Sequence, residues 1–120
     1  MADAFPEVFA ALRPLLQEHE QALVVVHDEP GRYYLDTAHV MPNGKPLFFG
    51  AVNVGKRYVS YHLMPVYVNP SLLEEISPEL RRRMQGKSCF NFTAIDEALF
   101  GELAALTARG LADYRERGYA

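Results

Sequence analysis

Apolar residues recur at intervals of three and four at the start of the chain and then give way to strict alternation. Phe5, Val8, Phe9, Leu12, Leu15 and Leu16 fall on one face of a helix. Asp3 is placed to cap it, and Pro6 lies in the first turn, where a missing N–H costs nothing. Pro14 sits inside the same pattern and removes the bond to Ala10, at about 3 kcal/mol in a helix interior. A kink or two shorter helices are expected there.

From residue 23 to 67 the period is two. Residues 23–28 and 33–38 read as strands around Glu29-Pro30-Gly31-Arg32, which has the composition of a type II turn. Asn43-Gly44, between Pro42 and Pro46, marks a second turn. Residues 47–54 and 57–64 form the clearest hairpin, and Gly55-Lys56 suits a two-residue type II′ turn. Asn69-Pro70 and Ser77-Pro78 open short helices, with Leu73, Ile76, Leu80 and Met84 on one side. Residues 88–92 read as a brief strand with Cys89 and either flank inside. Thr93-Ala94-Ile95-Asp96 resembles a capping box. Ile95, Leu99, Leu103, Leu106 and Tyr114 trace a C-terminal helix that Gly110 weakens. Strands in one run with helices outside it predict an α+β fold. The expected architecture is an antiparallel sheet of four or five strands, with N- and C-terminal helices packed on one face, in a single domain spanning residues 1–120.

The Gly55-Lys56 turn predicts which residues share a face. Val52 is set opposite Val59, Gly50 opposite Tyr61 and Phe48 opposite Leu63, an apolar set expected to meet the helices. The other set consists of Asn53 opposite Tyr58, Ala51 opposite Ser60 and Phe49 opposite His62. Phe49, Asn53, Tyr58, Ser60 and His62 are therefore the candidate ligand-binding residues, because binding sites combine aromatic walls with a few placed polar groups. An ordinary solvated sheet face has the same composition, since Tyr and His are amphipathic.

Composition narrows the classes. The chain is 49% hydrophobic and 22% charged, near the average for globular proteins, and its 120 residues suit one domain. The N-terminus lacks a basic, apolar leader, no run approaches the ~18 apolar residues of a membrane span, and a single cysteine excludes an intrachain disulfide. A cytoplasmic setting is expected. The net charge of −3 supplies no electrostatic footprint for nucleic acid, and the run Arg81-Arg82-Arg83 has the ordinary reading of solvated cations at a helix end.

Specific motifs are few. Gly86-Lys87-Ser88 imitates the end of a phosphate-binding loop, but the required earlier glycine is replaced by Arg81. Cys89 has no histidine near it in sequence and reads as a small core residue. His27-Asp28-Glu29, His39 and Glu18-His19-Glu20 offer ligand types suited to iron or a similar divalent ion, without a recognised ligand spacing. No catalytic residue is assigned.

The segments Gly44-Lys45-Pro46-Leu47-Phe48-Phe49, Tyr58-Val59-Ser60-Tyr61-His62-Leu63 and Lys87-Ser88-Cys89-Phe90-Asn91-Phe92, with Leu72-Leu73 between them, resemble the YdhG-like family of bacterial domains of unknown function (DUF 1801). The resemblance runs over residues 44–92 and implies an α+β domain with a helix-covered sheet. It also implies a possible iron cofactor, because some relatives are described as frataxin-like iron chaperones that bind through an acidic helix and neighbouring strand. In this chain the first helix carries Asp3, Glu7, Glu18 and Glu20, scattered around Arg13, and no binding residue is carried over. Three readings result: a non-enzymatic module for a small ligand or protein partner, an iron-binding chaperone, and an enzyme with Cys89 or His62 at its centre.

Overall fold

In the computed structural model, which describes residues 4–120, the chain is α+β. Helix α1 (Phe5–Gln17) is followed by a 3-10 turn at Glu20–Ala22 and by strands β1 (Val24–Glu29), β2 (Arg32–Val40), β3 (Pro46–Val54) and β4 (Val59–Leu63). Helix α2 (Pro65–Val68), a 3-10 segment (Pro70–Glu75) and α3 (Pro78–Arg81) lead to β5 (Met84–Gln85), β6 (Cys89–Phe92) and α4 (Glu97–Glu116). The six strands form one antiparallel sheet in the order β1-β2-β3-β4-β6-β5. The strand beyond the expected five is β5, a two-residue edge that follows the α3 helix. Asp3, expected as the first helix cap, lies outside the described residues.

Local chemistry accounts for the element ends. Gly31 and Gly44 take φ of 83° and 84° in the two turns that the sequence marks. Asn69 Oδ1 accepts from Ser71 N–H and Ser77 Oγ accepts from Leu80 N–H, as N-caps do. The capping-box expectation is corrected. Asp96, not Thr93, caps α4 by accepting from Leu99 N–H at 3.1 Å, so Ile95 precedes the helix and is exposed. Pro14 does not divide α1, because Pro14 and Ala10 both face solvent and the freed carbonyl of Ala10 is open to water. Gly110 does not divide α4 either. A Cβ there would approach Pro65 to 2.9 Å, so the glycine admits α2 against the helix.

The core lies on one side of the sheet. Val52, Val59, Tyr61 and Leu63 are fully buried beneath α1 and α4. Tyr61 Oη sits 2.6 Å from Thr107 Oγ1, and Thr107 in turn donates to Leu103 O, so the tyrosine is the donor in the first bond. Phe92 stacks edge-on against Phe100, and Tyr114 donates to Phe48 O.

Two features of the central hairpin differ from expectation. The connection spans four residues, with Gly55 N–H donating to Tyr58 O, and pairs Val52 with Tyr61 and Val54 with Val59. This shift of two residues keeps every side chain on its expected face of β4; a shift of one would have inverted the strand. In β3 the register slips against β2, where Leu35 pairs with Gly50 but Asp36 pairs with Phe48. Phe49 is the extra residue of a β-bulge and turns into the core, where its ring meets Tyr114 at 5.7 Å. Phe48 takes the outer position against Tyr34, with ring centroids 4.7 Å apart.

Gly50 lets Leu16 of α1 pack directly onto the sheet backbone. A Cβ at this position would lie 2.9 Å from Leu16 Cδ2 and 3.0 Å from His62 O. Replacing Gly50 with Ala is expected to destabilise the protein by about 1–3 kcal/mol through overpacking. Urea unfolding checks this, and an unchanged midpoint would show that Leu16 moves aside freely.

Candidate functional site

The face of the sheet opposite the helices is built from residues that alternate with the core positions. In β4 and β6 the alternation is regular: Val59, Tyr61, Leu63, Phe90 and Phe92 are buried, while Ser60, His62, Cys89 and Asn91 are half-buried on the other side. The strand pairings place His27, Tyr34, Ala51, His62, Cys89 and Gln85 in one row across all six strands. A parallel row contains Arg32, Asn53, Ser60 and Asn91.

Hydrogen bonds tie one end of these rows together. Asn91 Oδ1 accepts from Ser60 Oγ at 2.9 Å and from Cys89 Sγ at 3.3 Å. Asn91 Nδ2 donates to Gln85 Oε1 at 2.8 Å, and the same oxygen accepts from Tyr58 Oη at 3.1 Å. His62 Nε2 lies 3.8 Å from Cys89 Sγ. Mutual bonding of this kind offsets the cost of half-burying five polar groups.

Burial holds the Cys89–His62 pair uncharged. It lowers the pKa of His62 and raises that of the Cys89 thiol, against a smaller opposing effect of the Ser60 hydroxyl. A reactive cysteine is a thiolate stabilised by a neighbouring cation. Here the resting pair is thiol and neutral imidazole, which can donate and accept hydrogen bonds.

Of the candidate residues, Asn53, Tyr58, Ser60 and His62 are half-buried and none belongs to the core, and Asn53, Ser60 and His62 lie on this face. Phe49 does not belong with them. The bulge turns it into the core and puts Phe48 on the outer face instead. Cys89, expected inside, is on the face, because Phe90 and Phe92 take the inward positions of β6. Asn91 and Gln85, which organise the network, gave no signal in the sequence, since pairing β6 with β4 joins residues roughly 30 positions apart.

The residues considered for a metal are dispersed, and most of the carboxylates have other partners, while His19 Nε2 is buried without a hydrogen bond, 3.6 Å from Glu18 Oε1. Asp28 pairs with Arg13 at 2.7 Å, Glu29 Oε1 lies 3.2 Å from His27 Nδ1, and Glu20 accepts from Tyr33 Oη. His39 stacks near Tyr119. Among the described residues, no group of three or more His, Cys, Asp and Glu side chains is placed to hold an ion. No described helix is long and apolar enough to cross a membrane.

Comparison of the chain with family models, curated proteins and solved structures finds no match.

The shifted groups set two expectations. His62 has a folded-state pKa below its unfolded value of about 6.5, so the unfolded chain binds the proton first as pH falls. Its stability contribution is complete above that value and is lost as pH drops toward the folded pKa. Denaturation midpoints from pH 8 to 5 should therefore fall less steeply in His62→Gln than in the parent. The comparison isolates His62 from Asp36, whose burial-raised pKa acts in the opposite sense. Cys89 should react with a disulfide reagent at pH 8 at least about tenfold more slowly in the native protein than in urea. Equal rates would place the thiol in water.

Proposed function

We propose that this chain is a non-enzymatic binding module of the YdhG-like kind, which takes a polar, uncharged ligand or partner segment on the open face of its sheet. The observation carrying this reading is the bonded set Tyr58–Gln85–Asn91–Ser60–Cys89, with His62 beside it. These are polar groups held in fixed positions on a face that the helices leave uncovered.

Preorganised hydrogen-bonding groups beside aromatic surface are the usual composition of a recognition site. Tyr34 and Phe48 supply the aromatic surface, with Tyr34 in the row that runs through Ala51 to His62. A neutral imidazole and a thiol favour uncharged hydrogen-bonding groups over ions, because a charge brought against them loses water without gaining an opposite charge.

A fragment screen by amide and side-chain NMR shifts tests the reading. Ligands should move Ser60, His62 and Asn91 together, and His62→Ala should abolish those shifts while the melting temperature stays within a few degrees of the parent. Hits that move only residues remote from this face, or a variant that retains every hit, would refute it.

A further inference from the structure

The segment between β4 and β6 lines a cavity, half open to solvent, that does not involve the polar sheet face. Its volume is about 640 Å³, within the range of small-molecule sites. The floor is apolar: Val66 and Leu73 are 1% and 9% exposed, and Met84 from β5 is half-buried beside them. Methionine adapts its shape to irregular apolar partners. Tyr67, half-exposed at 51%, forms a wall.

Two cations stand at the rim, Arg81 and Lys87. Arg81 Nη2 donates to Leu73 O at 3.0 Å, which fixes the guanidinium in place. That bond uses one of five donors and, because the acceptor is a neutral carbonyl, leaves the charge uncompensated. Lys87 follows Gly86, whose φ of +78° forms the β5–β6 turn, and its ammonium lies 5.8 Å from the Tyr67 ring centroid. Among the described residues the ion pairs involve Arg13, His19, His27, Arg109 and Arg117, and neither rim cation takes part in one. A fixed guanidinium and an ammonium over an apolar floor are complementary to a molecule with an anionic head and an apolar body.

We propose that this cavity binds an amphipathic carboxylate, its head held by Arg81 and Lys87 and its hydrocarbon body lying on Val66, Leu73 and Met84. Guanidinium matches the planar geometry of a carboxylate, and the Lys87 ammonium brings a second positive charge to the same rim, where both cations remain exposed to water. The site is distinct from the sheet face, where the resting groups are uncharged, so the two readings stand or fall separately.

The experiment is a titration of the ¹⁵N-labelled full chain with octanoate, with 1-octanol as the neutral isostere and with inorganic phosphate as an anion lacking the body. Octanoate is expected to shift Tyr67, Leu73, Met84 and Lys87, and to bind at least about tenfold more tightly than octanol or phosphate, the scale of a charge-assisted hydrogen bond. Lys87→Met, a change at an exposed turn residue, should weaken octanoate about tenfold and leave octanol no weaker. Octanoate binding no tighter than octanol or phosphate would overturn the proposal. So would an unchanged affinity in Lys87→Met, or octanoate shifts confined to Ser60, His62 and Asn91.

Discussion

Strand β3 carries Phe49 unpaired between the Leu35–Gly50 and Asp36–Phe48 pairs. Because side chains alternate with a period of two, that one residue lets Leu47 and Phe49 reach the helices before the bulge, and Gly50 and Val52 after it. The packing of α1 depends on this arrangement. Leu16 enters the space left by the absent Cβ of Gly50, and Phe49 meets Tyr114 from α4. Without the bulge, either Phe49 or Val52 would face water, a loss of about 1.5–3 kcal/mol for each large apolar side chain left exposed.

The same inversion shapes the outer face. Phe48 moves out to stack on Tyr34, beside the row that runs through Ala51 to His62 and Cys89. His62 and Cys89 of that row are half-buried, and Cys89 and Gln85 are bonded to Asn91 of the parallel row. Their neutrality has the same origin as their order, since low solvation disfavours both imidazolium and thiolate while strengthening the bonds among neutral groups. Around Asn91 the face presents neutral hydrogen-bonding groups in place of charged ones.

Charge is concentrated elsewhere. The short helices between β4 and β6 supply Val66 and Leu73 as an apolar floor, and β5 brings Met84 and the following turn back beside it. Arg81 fastens this arrangement through the Leu73 carbonyl. A basic run that reads in the sequence as solvated helix-end charge thus has one member held at a cavity and another, Arg83, lying over the Phe92 ring.

The sequence alone determined the α+β class, the helices at the two ends, the proline and glycine punctuation of the turns and caps, and the inward set Val52, Val59, Tyr61 and Leu63. These follow from periodicity and backbone chemistry, which act over a few residues. It also determined which face of β4 is polar, because a two-residue error in the turn leaves alternation intact. Tertiary structure decided the rest. The bulge that exchanges Phe48 with Phe49 arises from matching β3 to β2 while seating α1, and no local preference encodes it. The neighbours of His62 are Cys89 and Asn91 only because β6 returns beside β4 after a long excursion. The cap of α4 lies at Asp96 and not Thr93, because the chain bends at Thr93 and Ala94 after β6, while Asp96 has the extended backbone and the side-chain bond to Leu99 N–H. Contacts between residues far apart in the chain are set by the packing of whole elements, which the pattern along any one segment does not contain.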